Sequence, residues 1–276
     1  MRHAIHTLSL SSKFGFSLLP SLLPSLMSFQ RTSLVALVSL FLSFSSTSFA
    51  AGKTVIYEVN GQTYEGHYQA ADANSPLVLL LHDWDGLTDY EVRRAQMLVD
   101  LGYTVFAADL FGQGIRPTKV VDKKQHTGEL YKDRDKMRAL LEGALKAAIA
   151  QGGNAENAVA MGYCFGGAAV LEMARSGSNL KGFATFHGGL STPEGQDYKQ
   201  LKAPLLVMHG SADSAIPMTQ FAALTTELEN DGAAHEMITY SGAPHAFTVF
   251  GSERYRVDAD QKSWKRFTAF LAEQTR

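Results

Sequence analysis

Gly162-Tyr163-Cys164-Phe165-Gly166-Gly167 holds the only cysteine of the 276-residue chain. An apolar run, Ala158-Val159-Ala160-Met161, precedes it, and a helix-prone stretch, Ala168 to Arg175, follows. Strand, G-x-C-x-G, helix is the order of a nucleophile elbow with cysteine in the serine position. The chemistry needs those glycines, because a side chain presented on a sharp strand-to-helix turn requires close backbone approach without Cβ atoms. At a helix N-terminus, unpaired N–H groups and the helix dipole favour a thiolate. The plainer reading is a small buried cysteine ahead of an ordinary Gly-rich turn. Downstream residues decide between them.

Pro204 to Met208 reads as a buried parallel strand, and His209-Gly210-Ser211-Ala212-Asp213 leaves its C-terminal end. Glu236 to Tyr240 reads as another strand, followed by Ser241-Gly242-Ala243-Pro244-His245-Ala246-Phe247. Cys164, Asp213 and His245 each fall just past a strand end, where open parallel sheets build their sites. Nucleophile, acid, histidine is also the chain order of an α/β-hydrolase triad. In that arrangement His245 exchanges protons with the thiol and leaving group, and Asp213 fixes the imidazole tautomer. Singly, Asp213 could be a turn residue before Pro217 and His245 a solvated loop residue. The ordered coincidence of three favours the triad.

These motifs resemble the dienelactone hydrolase family. So does Leu79-Leu80-Leu81-His82-Asp83-Trp84-Asp85-Gly86-Leu87-Thr88-Asp89-Tyr90, which is similar to the family's first-loop motif. The likeness runs from about Pro76 to the C-terminus. It implies a Cys164-Asp213-His245 triad and an oxyanion hole made by the backbone N–H groups of Trp84 and Phe165, in keeping with one donor after the nucleophile and one from an earlier loop. The family's first loop commonly carries a glutamate against the resting thiol. Asp83 stands there, one methylene shorter, and is the candidate for modulating the thiol. Founding members of the family hold a substrate carboxylate with arginines, one of them four residues past the catalytic histidine. That position is Val249, so the sequence predicts neutral aryl esters or lactones in preference to carboxylate-bearing ones. Arg254 and Arg256 are the alternative cations. His82 and Phe247 are candidate pocket residues.

The first 50 residues differ in kind. Arg2, Lys13 and Arg31 are their only charges. After Met27, the expected true start, Arg31, Leu34 to Phe44 and Ser48-Phe49-Ala50 read as the basic, apolar and cleavage regions of a secretory signal. Eleven apolar residues are too few for a membrane span, which needs ~20. Residues 1–50 are thus expected to be a signal peptide with an upstream extension, leaving a periplasmic or secreted product with no membrane attachment. An uncleaved anchor is the alternative. The segment carries none of the 27 Asp and Glu, so the remainder is more acidic than the whole chain, whose formal charge is −2. That argues against nucleic acid as a partner. A lone cysteine in an oxidising compartment forms no internal disulfide, which favours a working thiol.

Residues 51–276 read as one α/β domain without repeats or linkers. Thr54–Val59 and Gln62–Gln69 flank Asn60-Gly61, a hairpin signal. Pro76–Leu81 and Tyr103–Ala107 are continuous apolar strands, as in a sheet buried on both faces. Helices are expected over Asp89–Leu101, Gly128–Gln151, Thr219–Asn230 and Asp258–Glu273, with a further strand over Lys181–Phe186. Strands alternating with helices after an initial hairpin give a mostly parallel, doubly wound sheet with an antiparallel start, helices on both faces: the α/β-hydrolase fold. His82, His187 and His209 sit at predicted strand ends, but no H-x-H or H-x-x-x-H pair exists and no metal or cofactor is called for. The reading is a carboxylic-ester or lactone hydrolase working through a thioester on a small-molecule substrate. Its alternatives are a non-catalytic or thiol-reactive binding protein on the same fold, and a metal-assisted hydrolase.

Overall fold

A computed structural model describes residues 51–276, which fall in one compact unit. The expected export segment lies outside the described residues. No helix among the described residues is long and apolar enough to cross a membrane.

The described residues open with the hairpin β1 (Lys53–Val59) and β2 (Gln62–Gln69). Asn60 and Gly61 take φ of 52° and 76°, as the twist of a two-residue hairpin turn requires. Then follow β3 (Pro76–Leu81), α1 (Asp89–Val99), β4 (Thr104–Ala108), α2 (Val120–Lys132), α3 (Arg134–Ala150), β5 (Asn154–Tyr163) and α4 (Phe165–Arg175). The remainder is β6 (Gly182–Phe186), β7 (Leu205–Gly210), α5 (Met218–Asn230), β8 (His235–Tyr240) and α6 (Val257–Gln274). The eight strands form one sheet in the order β1-β2-β4-β3-β5-β6-β7-β8. β1 and β2 pair antiparallel, β2 meets β4 antiparallel, and every later pairing is parallel.

Side-chain alternation divides the core. Leu77, Leu79 and Leu81 join Ala158 and Ala160 on the face covered by α3 and α4, whereas Val78 and Leu80 join Val159 and Met161 on the face covered by α1 and α6. Both faces are dry, which is why β3 reads as an unbroken apolar run. α1 begins with a reciprocal cap: Thr88 receives the Tyr90 N–H while Glu91 receives the Thr88 N–H.

One expected element divides in two. The helix foreseen over Gly128–Gln151 is α2 and α3, interrupted at Asp133, whose φ of −115° and ψ of 86° are not helical. Its carboxylate accepts the Lys136 N–H at 2.9 Å, so it starts a new helix where composition suggests a continuous one. That break turns Tyr131 and Arg134 toward the site.

Candidate active site

Parallel register brings the site together. Leu81 pairs with Gly162, Tyr163 with Phe186, and Phe186 with Met208, so the loops after β3, β5, β6 and β7 leave one edge of the sheet side by side. The loop after β8 joins them because Gly210 pairs with Tyr240.

Cys164 stands between β5 and α4 with φ 50° and ψ −110°. Few non-glycine residues hold such a conformation, and its surroundings enforce it. Its N–H donates to the Phe186 carbonyl and its own carbonyl accepts from Ala168. A Cβ at Gly162 would collide with the backbone of Gly166, and one at Gly166 with the carbonyls of Leu81 and His82. Those two glycines let the first turn of α4 lie directly against β5 and the end of β3.

His245 Nε2 lies 3.0 Å from Cys164 Sγ, and its Nδ1 lies 2.8 Å from Asp213 Oδ2. Asp213 is itself fixed, since its Oδ1 accepts the N–H groups of Ala215 and Ile216 at 2.9 and 2.8 Å. Burial works against the charged imidazole, but hydrogen bonds to Asp213 and Cys164, with their charges, outweigh it and raise the His245 pKa to about 10. The same pairing overcomes burial at Asp213 and holds its carboxyl below the usual range. Such an arrangement favours a charged imidazolium beside a sulfur nucleophile, and that imidazolium can hand a proton to a leaving group. Of the sequence candidates, the structure brings these three into hydrogen-bond contact.

The N–H groups of Trp84 and Phe165 donate to no protein acceptor among the described residues. They belong to the two loops that meet at Gly166, where two donors for a developing oxyanion would have to stand. Trp84 is half-buried, with the Lys123 ammonium 5.1 Å from its ring centroid.

Asp83 makes no hydrogen bond to Cys164. Its Oδ1 accepts the Asp85 N–H at 2.8 Å instead. Burial, followed by the Asp85 charge, raises its pKa to about 6, against relief from the Asp85 N–H, Lys123 and His245. The folded value lies above the unfolded one, so the folded state prefers the protonated acid, and this group's contribution to stability declines as the pH rises from about 4 through about 6. Asp83→Asn removes the penalty. The variant is expected to match the parent near pH 4 and to exceed it by about 1–3 kcal/mol at pH 8. Thermal unfolding at the two pH values checks this, and an equal difference at both would contradict it.

His82 and Phe247 are placed differently from expectation. Both are fully buried, and neither is among the residues lining the cavity described below. His82 Nε2 accepts the Leu110 N–H at 3.0 Å, which leaves the proton on Nδ1 to donate to the Asp83 carbonyl at 2.6 Å. Both nitrogens are therefore spent tying the loop after β3 to the loop after β4. Phe247 packs its ring on His187 and Tyr240. Arg254 and Arg256 are exposed, and Arg256 donates to the carbonyls of Glu253 and Tyr255.

The cavity beside the thiol is about 260 Å³. Tyr131, Arg134, Ala168, Gly189, Ile216 and Gln220 line it, with Arg175 and Ser191. Ala168 lies one turn past Cys164, Ile216 follows Asp213, and Tyr131 packs its ring on Phe165, 5.5 Å between centroids. The sequence reading missed Tyr131 and Arg134; the Asp133 cap is the signal that could have found them. Among the described residues, no group of three or more His, Cys, Asp or Glu is arranged to hold a metal ion.

The chain has relatives among known proteins. The family model "Dienelactone hydrolase family" matches residues 64–275. The carboxymethylenebutenolidase of Pseudomonas putida is 25% identical over 76% of this chain and 94% of its own. A crystal structure of a dienelactone hydrolase-like promiscuous phosphotriesterase from metagenomic libraries superposes with TM-score 0.75 at 28% identity, covering 81% of this chain and 98% of that one. An acylaminoacyl peptidase shares the fold at TM-score 0.65 and 16% identity, over 82% of this chain and 42% of its own. The chain therefore belongs to the dienelactone hydrolase family, α/β-hydrolases acting on ester or lactone bonds.

Proposed function

We propose that the hydrolysis runs through a thioester on Cys164, with His245 as proton carrier and Asp213 as its orienting acid. The observation that carries this is the unbroken line Cys164 Sγ–His245 Nε2, 3.0 Å, and His245 Nδ1–Asp213 Oδ2, 2.8 Å. Sulfur attacks the carbonyl carbon, and the carbonyl π pair moves onto oxygen, facing the N–H groups of Trp84 and Phe165. The adduct collapses, the C–O bond to the leaving group breaks, and His245 Nε2 gives its proton to the departing oxygen. Water then attacks the thioester while His245 takes a proton from it. Cys164 leaves as thiolate beside the His245 imidazolium, ready for the next ester. Because a thiolate is itself a good leaving group, the first adduct goes forward only when the leaving oxygen departs easily. Aryl esters, enol esters and strained lactones meet that condition. A substrate panel including an aryl phosphotriester, run with and without a thiol alkylator, tests this reading. Alkylator-resistant hydrolysis would overturn it.

The lining of the cavity supports a substrate charge different from the one the sequence suggests. Val249 supplies no arginine, but Arg134, Arg138 and Arg175 all converge on the one buried carboxylate of Glu172. Arg175 spends its donors on Gln196, Tyr198 and Glu172. Arg134 does not, for its contact with Glu172 is a long one at 3.4 Å and its side chain lines the cavity. An acyl group ending in a carboxylate would meet that guanidinium. Of a matched pair of aryl esters, the carboxylate-bearing one is expected to have the higher kcat/KM by roughly 10–100-fold, the scale of one charge-assisted hydrogen bond. Arg134→Met should erase the difference. A preference for the neutral ester would reinstate the sequence expectation.

Export belongs to the proposal as well, carried by the Arg31, Leu34 to Phe44 and Ser48-Phe49-Ala50 pattern. N-terminal sequencing of the exported protein is expected to begin at Ala51. A mature form retaining Leu34–Phe44 would contradict it.

A further inference from the structure

Against the ring of His245 stands a second imidazole that the reaction above does not use. His187 closes β6 with φ 41°, is fully buried, and sits 5.3 Å from the His245 ring centroid at 66°. Its Nε2 is 2.8 Å from Thr248 Oγ1, and that hydroxyl is 2.8 Å from the Tyr90 hydroxyl. Arg94 Nε donates to the Tyr90 oxygen at 3.3 Å, and its Nη2 donates to the Thr248 carbonyl at 2.8 Å and to Asp260. Arg94 is wholly buried among the rings of Tyr90, Tyr163, Phe250 and Trp264. Thr248 lies three residues past His245, on the loop that carries Ala246 at φ 62°.

The direction of this chain follows from what each group can donate. A guanidinium only donates, so the Tyr90 oxygen is already an acceptor. Burial keeps the Tyr90 phenol protonated, and Thr248 Oγ1 is the acceptor for its O–H. The Thr248 proton is then left for His187 Nε2, which must present a lone pair. His187 accordingly carries its proton on Nδ1, which is buried without a hydrogen-bond partner among the described residues. Nδ1 is unpaired in either direction, and reversing the chain would strand the buried Tyr90 proton as well, a costly addition.

We infer that the Arg94–Tyr90–Thr248 chain is a positioning device for the base: it fixes His187 as the neutral Nδ1–H tautomer against His245 and holds the loop that carries His245. The inference rests on His245 being the proton carrier. Its consequence is that one imidazole of the pair takes the positive charge and the other does not. Ionisable groups face the pair from every element packed there. Asp213 and His209 come from β7 and its loop, Cys164 and Tyr163 from the end of β5, and Asp83 from the loop after β3. Tyr90 and Arg94 come from α1, and Asp260 from α6. Burial and then the His245 charge hold His187 well below the ordinary histidine range, in the same sense as the hydrogen-bond direction.

Thr248→Val removes the hydroxyl and keeps the branched side chain. The full-length protein, labelled with ¹⁵N-histidine, reports tautomers in long-range ¹H–¹⁵N spectra, with the His187 signals assigned by their loss in His187→Gln. The wild type is expected to show neutral Nδ1–H at His187 across the neutral pH range. Thr248→Val is expected to shift it to a mixture or to Nε2–H, and to lower kcat for an aryl ester roughly tenfold at little changed KM, the scale of a modestly misplaced base. Thr248→Ser restores both. A wild-type Nε2–H tautomer, an unchanged kcat in Thr248→Val, or a kcat loss without a tautomer change each overturns the inference. Should Thr248→Val fail to fold, Tyr90→Phe decides by the same two readings. Failure of the triad itself would appear separately, as turnover that survives His245→Gln.

Discussion

Cys164→Ala should lose at least ~10³-fold in kcat for any ester the protein hydrolyses, while the fold persists. The rate loss is large because no neighbouring nucleophile can replace the sulfur on this turn. Tyr131 lines the same cavity, and burial first, with the Cys164 charge, makes its phenol harder to ionise. Stability should change little, because the substitution removes one sulfur from a half-buried position and leaves the glycine contacts of the turn intact. Cys164→Ser should keep a small residue of activity, since a hydroxyl on the same elbow can use the same base. Steady-state kinetics with thermal unfolding separates these effects. Wild-type rates in Cys164→Ala would end the proposal.

Asp213→Asn should cost roughly 10²–10⁴-fold in rate, and the reason is tautomeric. An asparagine in this position keeps its oxygen on the Ala215 and Ile216 N–H groups, the same bonds that the Asp213 Oδ1 makes now. Its NH₂ then faces His245 Nδ1, a donor where an acceptor is needed. The imidazole proton moves to Nε2 as its only proton, and that nitrogen can no longer accept one from the thiol or from water. The pH dependence should change too. In the parent, activity is expected to fall as the pH rises through about 10, where His245 loses the proton it delivers. Without the Asp213 charge and hydrogen bond, burial is less opposed, so the alkaline limb should move to lower pH. Asp83→Asn should leave that limb largely in place, because Asp83 bonds to the Asp85 N–H and not to His245. Equal and total loss in both variants would leave the division of roles unsupported.

Much of this was legible in the sequence because it is written in local backbone requirements. Asn60-Gly61 demands a two-residue turn, Pro76–Leu81 demands burial on both faces, and Gly162 and Gly166 demand close backbone approach. Each signal lies within a few residues, and each is present in the structure. The order Cys164, Asp213, His245 could be read because parallel strands put their C-terminal ends on one edge of the sheet. What stayed hidden depends on contacts between elements distant in sequence. His82 looked like a pocket residue because it lies at a strand end, yet its Nε2 is taken by Leu110, 28 residues on. Thr248 meets His187 across 61 residues, a contact made where the loop after β8 reaches past β7 to the end of β6. Arg134 was hidden by a misread helix. Ala, Leu and Lys suit both sides of Asp133, and only the Asp133 cap on Lys136 marks the boundary.

The thioester is tested most directly by trapping it. His245→Gln protein, mixed with an aryl ester and acid-quenched, should accumulate the acyl group, because water attack on the thioester needs the base while an activated leaving group departs without full proton assistance. Intact mass followed by peptide mapping locates the adduct. The account predicts one acyl group per chain, on the peptide containing Cys164, released by hydroxylamine and missing in the His245→Gln, Cys164→Ala double variant. An acyl group on any other residue, or turnover of the parent enzyme with no acyl intermediate on Cys164, would contradict it.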